Sequence, residues 1–321
     1  MIKLRLLFIL IIILFLSNSN IIISKQKDQK KKLNFVMVPK GVNPYYEPCY
    51  EGFRDAASKY NINAEMLSPP KFDLALQVQV IEDLIDQKVD GIAVSAFHDT
   101  GLVSVIDKAI KSGIKVITFD APAPSTKAMC YVGTDNFKAG YEAGKKLASL
   151  LKNNNYNEIA ILQGGIETLN LNLRTKGIKQ ALLDIAPNTK IVAIIDTNSD
   201  YAVAVSETEK LLVKYPNLKA IFGVSAYETP APALVIKEKK RKDIILAGFD
   251  DLKDTLKGIK EGYIQFTVVQ STYKMGWKSI ELLLNLVNDL PVPKEIDTGI
   301  IIVDKHNVDS YFDEMRKELK K

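Results

Sequence analysis

The 321 residues carry 43 Lys and Arg against 38 Asp and Glu, are 47% hydrophobic, and include two cysteines. That is enough chain for two modest domains or one large one. Residues 1–32 hold Lys3, Arg5, Lys25, Lys27, Lys30, Lys31 and Lys32 against Asp28 alone, so the net +5 of the whole chain leaves −1 for residues 33–321, and the folded part offers no global electrostatic argument for nucleic acid.

Taken in order, the chain opens with Lys3 and Arg5 before an apolar run from Leu6 to Leu16. A basic start and a short apolar core read as a secretory signal over residues 1–19, cut after Ser19. Ile21 to Ile23 extend the apolar character, which keeps an uncleaved anchor open as the alternative. No Cys stands near the end of this segment, which argues against a lipid anchor. Residues 20–32 read as a charged linker.

From Asn34 onward, apolar β-rich runs alternate with helical patterns. Strands are expected at Phe35–Val38, Ala64–Leu67, Gly91–Ser95, Lys115–Phe119 and Met129–Val132. A second series follows at Glu158–Leu162, Lys190–Asp196, Ala220–Val224 and Ile244–Gly248, with a further apolar run ending at Gln270. Leu74, Val78, Ile81, Leu84 and Ile85 recur at helical spacing, and Gly101–Ser112 and Phe137–Leu151 read likewise. Short continuous strands separated by helices mean parallel sheets covered on both faces. The alternation fits one large parallel sheet or two Rossmann-like, doubly wound α/β lobes of about 100–130 residues each, and ordinary domain sizes favour two. Trp277 is expected in the core, Lys237 to Lys242 as a solvated helix end, and Val308 to Leu319 as a final amphipathic helix.

Polar residues fall at strand ends, where open α/β sheets bind ligands. Asn43, Tyr45 and Tyr46 follow the first strand, with Pro44 between them. Asp120 ends Val116–Phe119, Asp250 ends Ile245–Phe249, and Gln270 ends Ile264–Val269; Arg174 follows the Gln163-Gly164-Gly165 strand end. Carboxylates, an amide and a guanidinium beside aromatic rings can bracket a polyol: hydroxyls meet the polar tips and C–H faces meet the rings. For each Asp the competing reading is a helix N-cap. Cys49 and Cys130 read as unpaired thiols, with a disulfide between them as the alternative in an exported protein, and neither has metal-ligand spacing with His98 or His306, so no metal, cofactor or catalytic residue is assigned.

These residues carry a resemblance. Asn43-Pro44-Tyr45-Tyr46 resembles the Asn-Pro-aromatic-aromatic signature of periplasmic sugar-binding proteins of the ribose and galactose group, which serve ABC transporters. Val89–Ser95, Gly113–Asp120, Val132–Asn136, Ala247–Asp250 and Val269-Gln270 with Lys274–Gly276 are similar in the same order and spacing. The resemblance implies two lobes joined by a three-strand hinge, with crossings near Thr134–Asp135, Gln270–Ser271 and Ile296–Gly299. The lobes would be residues 33–134 plus 271–298 and residues 135–270 plus 299–321. It implies ligand contacts from Asn43, Tyr45, Tyr46, Asp120, Arg174, Asp250 and Gln270. Ser225, with Tyr227 and Glu228 close by, stands where ribose binders have Asn, and Ala121 stands where they have Arg. Val38-Pro39-Lys40 looks instead like the branch that binds rhamnose or a furanosyl autoinducer, which adds Lys40 as a ligand donor.

The function so implied is an exported, monomeric receptor in the periplasm or cell envelope that hands a small sugar or polyol to a membrane ABC permease, without chemistry. A sugar-sensing input for a chemoreceptor or kinase is the alternative. A glycosidase built on Asp120 and Asp250 is the enzymatic one, and a transcription regulator is disfavoured because the space before Leu33 holds no helix-turn-helix.

Overall fold

The structure, a computed structural model, describes residues 32–151 and 156–313. The expected signal segment lies outside the described residues, as do all but the last residue of the linker and the C-terminal residues from 314 onward.

Two six-stranded sheets organise the fold. The first contains β1 (Asn34–Val38), β2 (Asn63–Met66), β3 (Gly91–Val94), β4 (Lys115–Phe119), β5 (Tyr131–Gly133) and β11 (Glu295–Asp297), in the order β11-β5-β4-β3-β1-β2 and parallel throughout. The second contains β6 (Asn157–Gln163), β7 (Thr189–Asp196), β8 (Leu218–Gly223), β9 (Ile245–Phe249), β10 (Phe266–Gln270) and β12 (Ile300–Asp304), in the order β12-β10-β9-β8-β6-β7. Only β12 runs antiparallel, pairing Gln270 with Ile300 and Phe266 with Asp304. The helices are α1 (Glu47–Tyr60), α2 (Leu74–Gln87), α3 (Val103–Lys111), α4 (Asn136–Leu150), α5 (Leu169–Ile185), α6 (Tyr201–Lys214), α7 (Pro230–Glu238), α8 (Lys253–Lys260) and α9 (Thr272–Val287).

Burial explains the sequence pattern. The residues of β3 are all buried, as are those of β10, and only the first residue of β1, β4 and β9 is partly open. A strand with helices over both faces has no solvent side, so it reads as a continuous apolar run. One side of the first sheet packs Ile81, Leu84, Val105 and Ile106 of α2 and α3 against Val36, Ile92 and Val116. In the second sheet, α4 and α5 cover one face through Leu147, Ile178 and Leu182, while α6 and α7 cover the other through Leu211 and Ile236.

The chain passes between the sheets three times: after β5, between β10 and α9, and across Thr298–Gly299 between β11 and β12. The last crossing turns at Gly299, whose φ of +79° lies in the left-handed region that glycine enters without steric cost.

Three expectations change in detail. Trp277 is half-buried rather than core: its ring stacks on Tyr273 at 6.2 Å, and its indole N–H donates to Glu281 at 2.8 Å. Residues 305–310 are turn, so the helix expected from Val308 begins at Tyr311. Strand β5 starts at Tyr131, because Met129 and Cys130 still belong to the approach. Lys237 at the end of α7 is solvated and pairs with Glu261 at 2.7 Å. Cys49 and Cys130 are buried free thiols.

Candidate ligand-binding site

The first lobe contributes a tyrosine pair aimed at one carboxylate. Asn43 accepts from the backbone N–H of Tyr45 at 2.9 Å, and Pro44 pre-sets the first φ of a one-turn 3-10 helix, Pro44–Tyr46. This fixes both rings, which meet edge to face at 5.0 Å. Tyr45 donates to Asp120 Oδ1 at 2.8 Å and Tyr46 to Oδ2 at 3.2 Å; Ser95 donates to the same Oδ2 at 2.6 Å. Tyr46 is buried, its ring edge-on to Phe119 at 6.1 Å, whereas Tyr45 is half-buried. Lys40 Nζ stands 3.6 Å from Asp120 Oδ2 and donates to Asn170 Oδ1 of the second lobe at 3.1 Å. Burial alone would push the Asp120 carboxyl up, but Lys40, Ser95 and Arg174 outweigh it and hold it below the usual carboxylate range. Burial dominates at Lys40, whose ammonium is depressed in spite of Asp120.

Neither cleft aspartate is an N-cap. Asp73, Asp135 and Asp200 do that work, accepting from the N–H groups of Leu76, Lys138 and Val203 at 3.1, 3.0 and 3.0 Å. Asp120 and Asp250 instead adopt φ of +57° and +67° directly after β4 and β9. Non-glycine residues enter that region at a cost, and such conformations cluster at functional sites.

The second lobe contributes Arg174, which is 1% exposed and lies in the second turn of α5. Its position follows from how closely α4 and α5 approach. Gly140 of α4 lies against the backbone of Arg174, where a β-carbon would stand 2.7 Å from the Arg174 Cα, and Gly177 of α5 lies as tightly against α4. Nε donates to Asn136 at 2.8 Å, Nη1 to the Val224 carbonyl at 3.0 Å, and the guanidinium covers the Phe249 ring at 4.3 Å. Nη2 is buried without a hydrogen-bond partner among the described residues. Asp250 accepts from Gln270 Nε2 at 2.8 Å, and Thr267 donates to its backbone carbonyl at 2.7 Å. The Gln270 carbonyl in turn accepts from Thr134 at 2.9 Å, at the first crossing. Burial pushes the Asp250 carboxyl up to about 7, against the pull of Arg174 and Gln270. Ser225, after β8, accepts from the Gly164 N–H at 3.0 Å.

Lys40, Asn43, Tyr45, Tyr46, Asp120, Arg174, Ser225, Asp250 and Gln270 all line one cavity between the two sheets' C-terminal edges. The centres of water-sized molecules have about 40 Å³ there. Sequence reasoning missed several lining residues: Phe72, Thr168, Asn170, Ser199 and Glu228. Of these, Glu228 had been noted beside Ser225 but given no part. No group of three or more His, Cys, Asp or Glu among the described residues is arranged to hold a metal ion.

The profile of a periplasmic binding protein domain matches residues 35–290. The chain belongs to that family. Among relatives of this periplasmic binding protein, the xylose/arabinose-binding protein of Sulfolobus acidocaldarius is 26% identical, over 84% of this chain and 70% of that one. The ribose import binding protein of Bacillus subtilis is 27% identical, over 80% and 82%. Among solved structures, an ABC transporter solute-binding protein from Burkholderia graminis in complex with D-arabinose superposes with a TM-score of 0.84 at 38% identity, over 89% of this chain and 99% of that one. No helix among the described residues is long and apolar enough to cross a membrane.

Proposed function

We propose that the protein is an extracytoplasmic receptor that captures one small sugar or polyol between its lobes and, acting as a single copy, presents the closed form to an ABC permease. The reading rests on convergence. Asp120, Arg174, Asp250 and Gln270 come from separate strand ends and a helix, yet line one cavity with two tyrosines, and Arg174 has a buried donor without a partner among the described residues. A buried donor with no partner costs about 1–3 kcal/mol, which a ligand oxygen would recover. The space of about 40 Å³ for water centres, given back a water's radius of about 1.4 Å, suits a guest of about 180 Å³, the size of one sugar ring. The relatives named for xylose, arabinose and ribose support the same class of ligand.

The ligand-contact set is Lys40, Asn43, Tyr45, Tyr46, Asp120, Arg174, Ser225, Asp250 and Gln270. The three crossings act as the hinge, since few residues there would absorb the change between open and closed forms. A ligand held on one lobe recruits the other by shifting that equilibrium. The work is binding only, and export by the leader puts it outside the cytoplasm. Calorimetric titration with pentoses, hexoses and polyols tests the proposal: micromolar or tighter binding of at least one monosaccharide is expected. No heat and no thermal shift with any of them would refute it, and release of reducing sugar from glycosides would favour the enzymatic reading.

A further inference from the structure

Glu228 is an acid at the cavity that the ligand set above does not use. It sits on the turn between β8 and α7, is fully buried, and lines the cavity from the second lobe. Its Oε1 accepts from the hydroxyl of Thr197, itself fully buried. Its Oε2 has no hydrogen-bond partner of good geometry among the described residues, although the Ser225 hydroxyl and the backbone N–H groups of Tyr227 and Glu228 stand close to the carboxyl. The carboxyl is held beside the backbone of Gly164, where a β-carbon would stand 3.3 Å from Oε1 and 2.8 Å from Ser225 Oγ. A glycine there keeps the acid and two serine hydroxyls in one polar corner. A side chain this buried, with one oxygen firmly committed and the other without a well-formed bond, leaves hydrogen-bonding capacity unspent.

We propose that Glu228 is a specificity-determining residue whose Oε2 hydrogen-bonds one hydroxyl of the bound sugar. This rests on the receptor reading above. Burial pushes the carboxyl up, while the hydroxyls of Ser225 and Thr197 and the backbone N–H groups of Glu228 and Tyr227 favour its charged form. A sugar hydroxyl both donates and accepts, so it meets the carboxyl in either state. With Oε1 accepting from Thr197, Oε2 is the oxygen left for the ligand. The first lobe reaches the sugar through Asp120, and Glu228 reaches it from the second. A sugar that lacks the hydroxyl facing Oε2 leaves that oxygen unpaired. Sites built to hydrogen-bond a hydroxyl reject analogues without it.

The test pairs two variants with a deoxy series on the full chain. Glu228→Gln keeps an acceptor for Thr197 and a hydrogen-bonding group toward the cavity, while Glu228→Leu removes both. For the tightest-binding sugar, Gln should retain affinity within about threefold and Leu should lose tenfold or more. Among the monodeoxy analogues of that sugar, one should bind the wild type weakly and lose nothing further in Glu228→Leu. Equal losses in Gln and Leu would overturn the hydrogen bond to the sugar. Leu losses that are the same for every analogue, with a lower melting temperature in the absence of sugar, would make Glu228 a packing residue and overturn the proposal. A wild type that binds no sugar at all would overturn the receptor reading itself, which separates the two failures.

Discussion

Gly140→Ala tests how Arg174 is positioned without touching the cavity. The added methyl would press first on the Arg174 carbonyl oxygen and stand 2.7 Å from the Arg174 Cα and carbonyl carbon, where carbon atoms rest at about 3.5–4.0 Å. Helices α4 and α5 must therefore part by about 1 Å. Overpacking of this kind costs about 1–3 kcal/mol, and the better helix propensity of Ala returns about 1, so a net loss of about 0–2 kcal/mol, centred near 1, is expected. For a chain of this size the central value is a melting temperature lower by about 2–4 °C. The same 1 Å stretches the 2.8 Å bond between Arg174 Nε and Asn136 beyond hydrogen-bond range. Arg174 then meets its ligand off-axis, and losing one charge-assisted bond of about 1.5–3 kcal/mol weakens binding about 10- to 150-fold. Gly144→Ala is the control. Its methyl meets Ala181 Cβ at 2.7 Å, further along the same interface and away from Arg174. Thermal melts and calorimetry on both variants decide: both should be destabilised, and only Gly140→Ala should lose affinity. A Gly140→Ala protein that melts lower yet binds normally would refute the idea that helix approach sets the guanidinium, and one that melts no lower would refute the packing argument.

Asp250 makes closure pH-dependent. Its carboxyl is raised from 3.8 to about 7 in the buried site, so the closed form carries no penalty below about 3.8 and loses stability as pH rises from there to about 7. Asp120 is shifted the other way, so its contribution is present above the usual carboxylate range and lost as pH falls below it. The ligand-free closed population, followed by small-angle scattering, should thus fall between about pH 4 and 7, and Asp250→Asn should flatten that fall; an unchanged profile in the variant would count against it. Lys40→Met removes the bond to Asn170 that joins the lobes. It should speed ligand release by about tenfold in stopped-flow, and Asn170→Ala should add little on top, because both variants break one bond. Tyr46→Phe deletes a hydroxyl shared between Asp120 and Ser95 and should cost about 0.5–1.5 kcal/mol of stability by denaturant melts.

Parallel strands made the fold legible. Val116–Phe119 and Ile245–Phe249 are apolar on both faces, so the first polar residue after each had to sit at the sheet's edge, and Asp120 and Asp250 could be read there directly. Whether each aspartate capped a helix was undecidable from order alone, because cap and ligand positions both follow a strand; the positive φ of both separates them. Asn170 and Glu228 were not legible as a pair of contacts. They sit on a helix start and on a turn, where reach depends on how the lobes face each other rather than on any periodicity. Trp277 misled for a related reason. Its helix is apolar enough to suggest burial, but the ring falls on the rim, where Tyr273 and Lys59 cover it.

The shielded thiols have a practical consequence. Cys49 is fully buried and Cys130 is 2% exposed, and burial pushes the Cys49 thiol well up and that of Cys130 to about 11. Both native sulfurs are therefore poor targets for alkylating dyes at neutral pH. A single cysteine introduced on the rim would take up a fluorophore selectively, turning lobe movement into an optical signal without first stripping the chain of its own thiols.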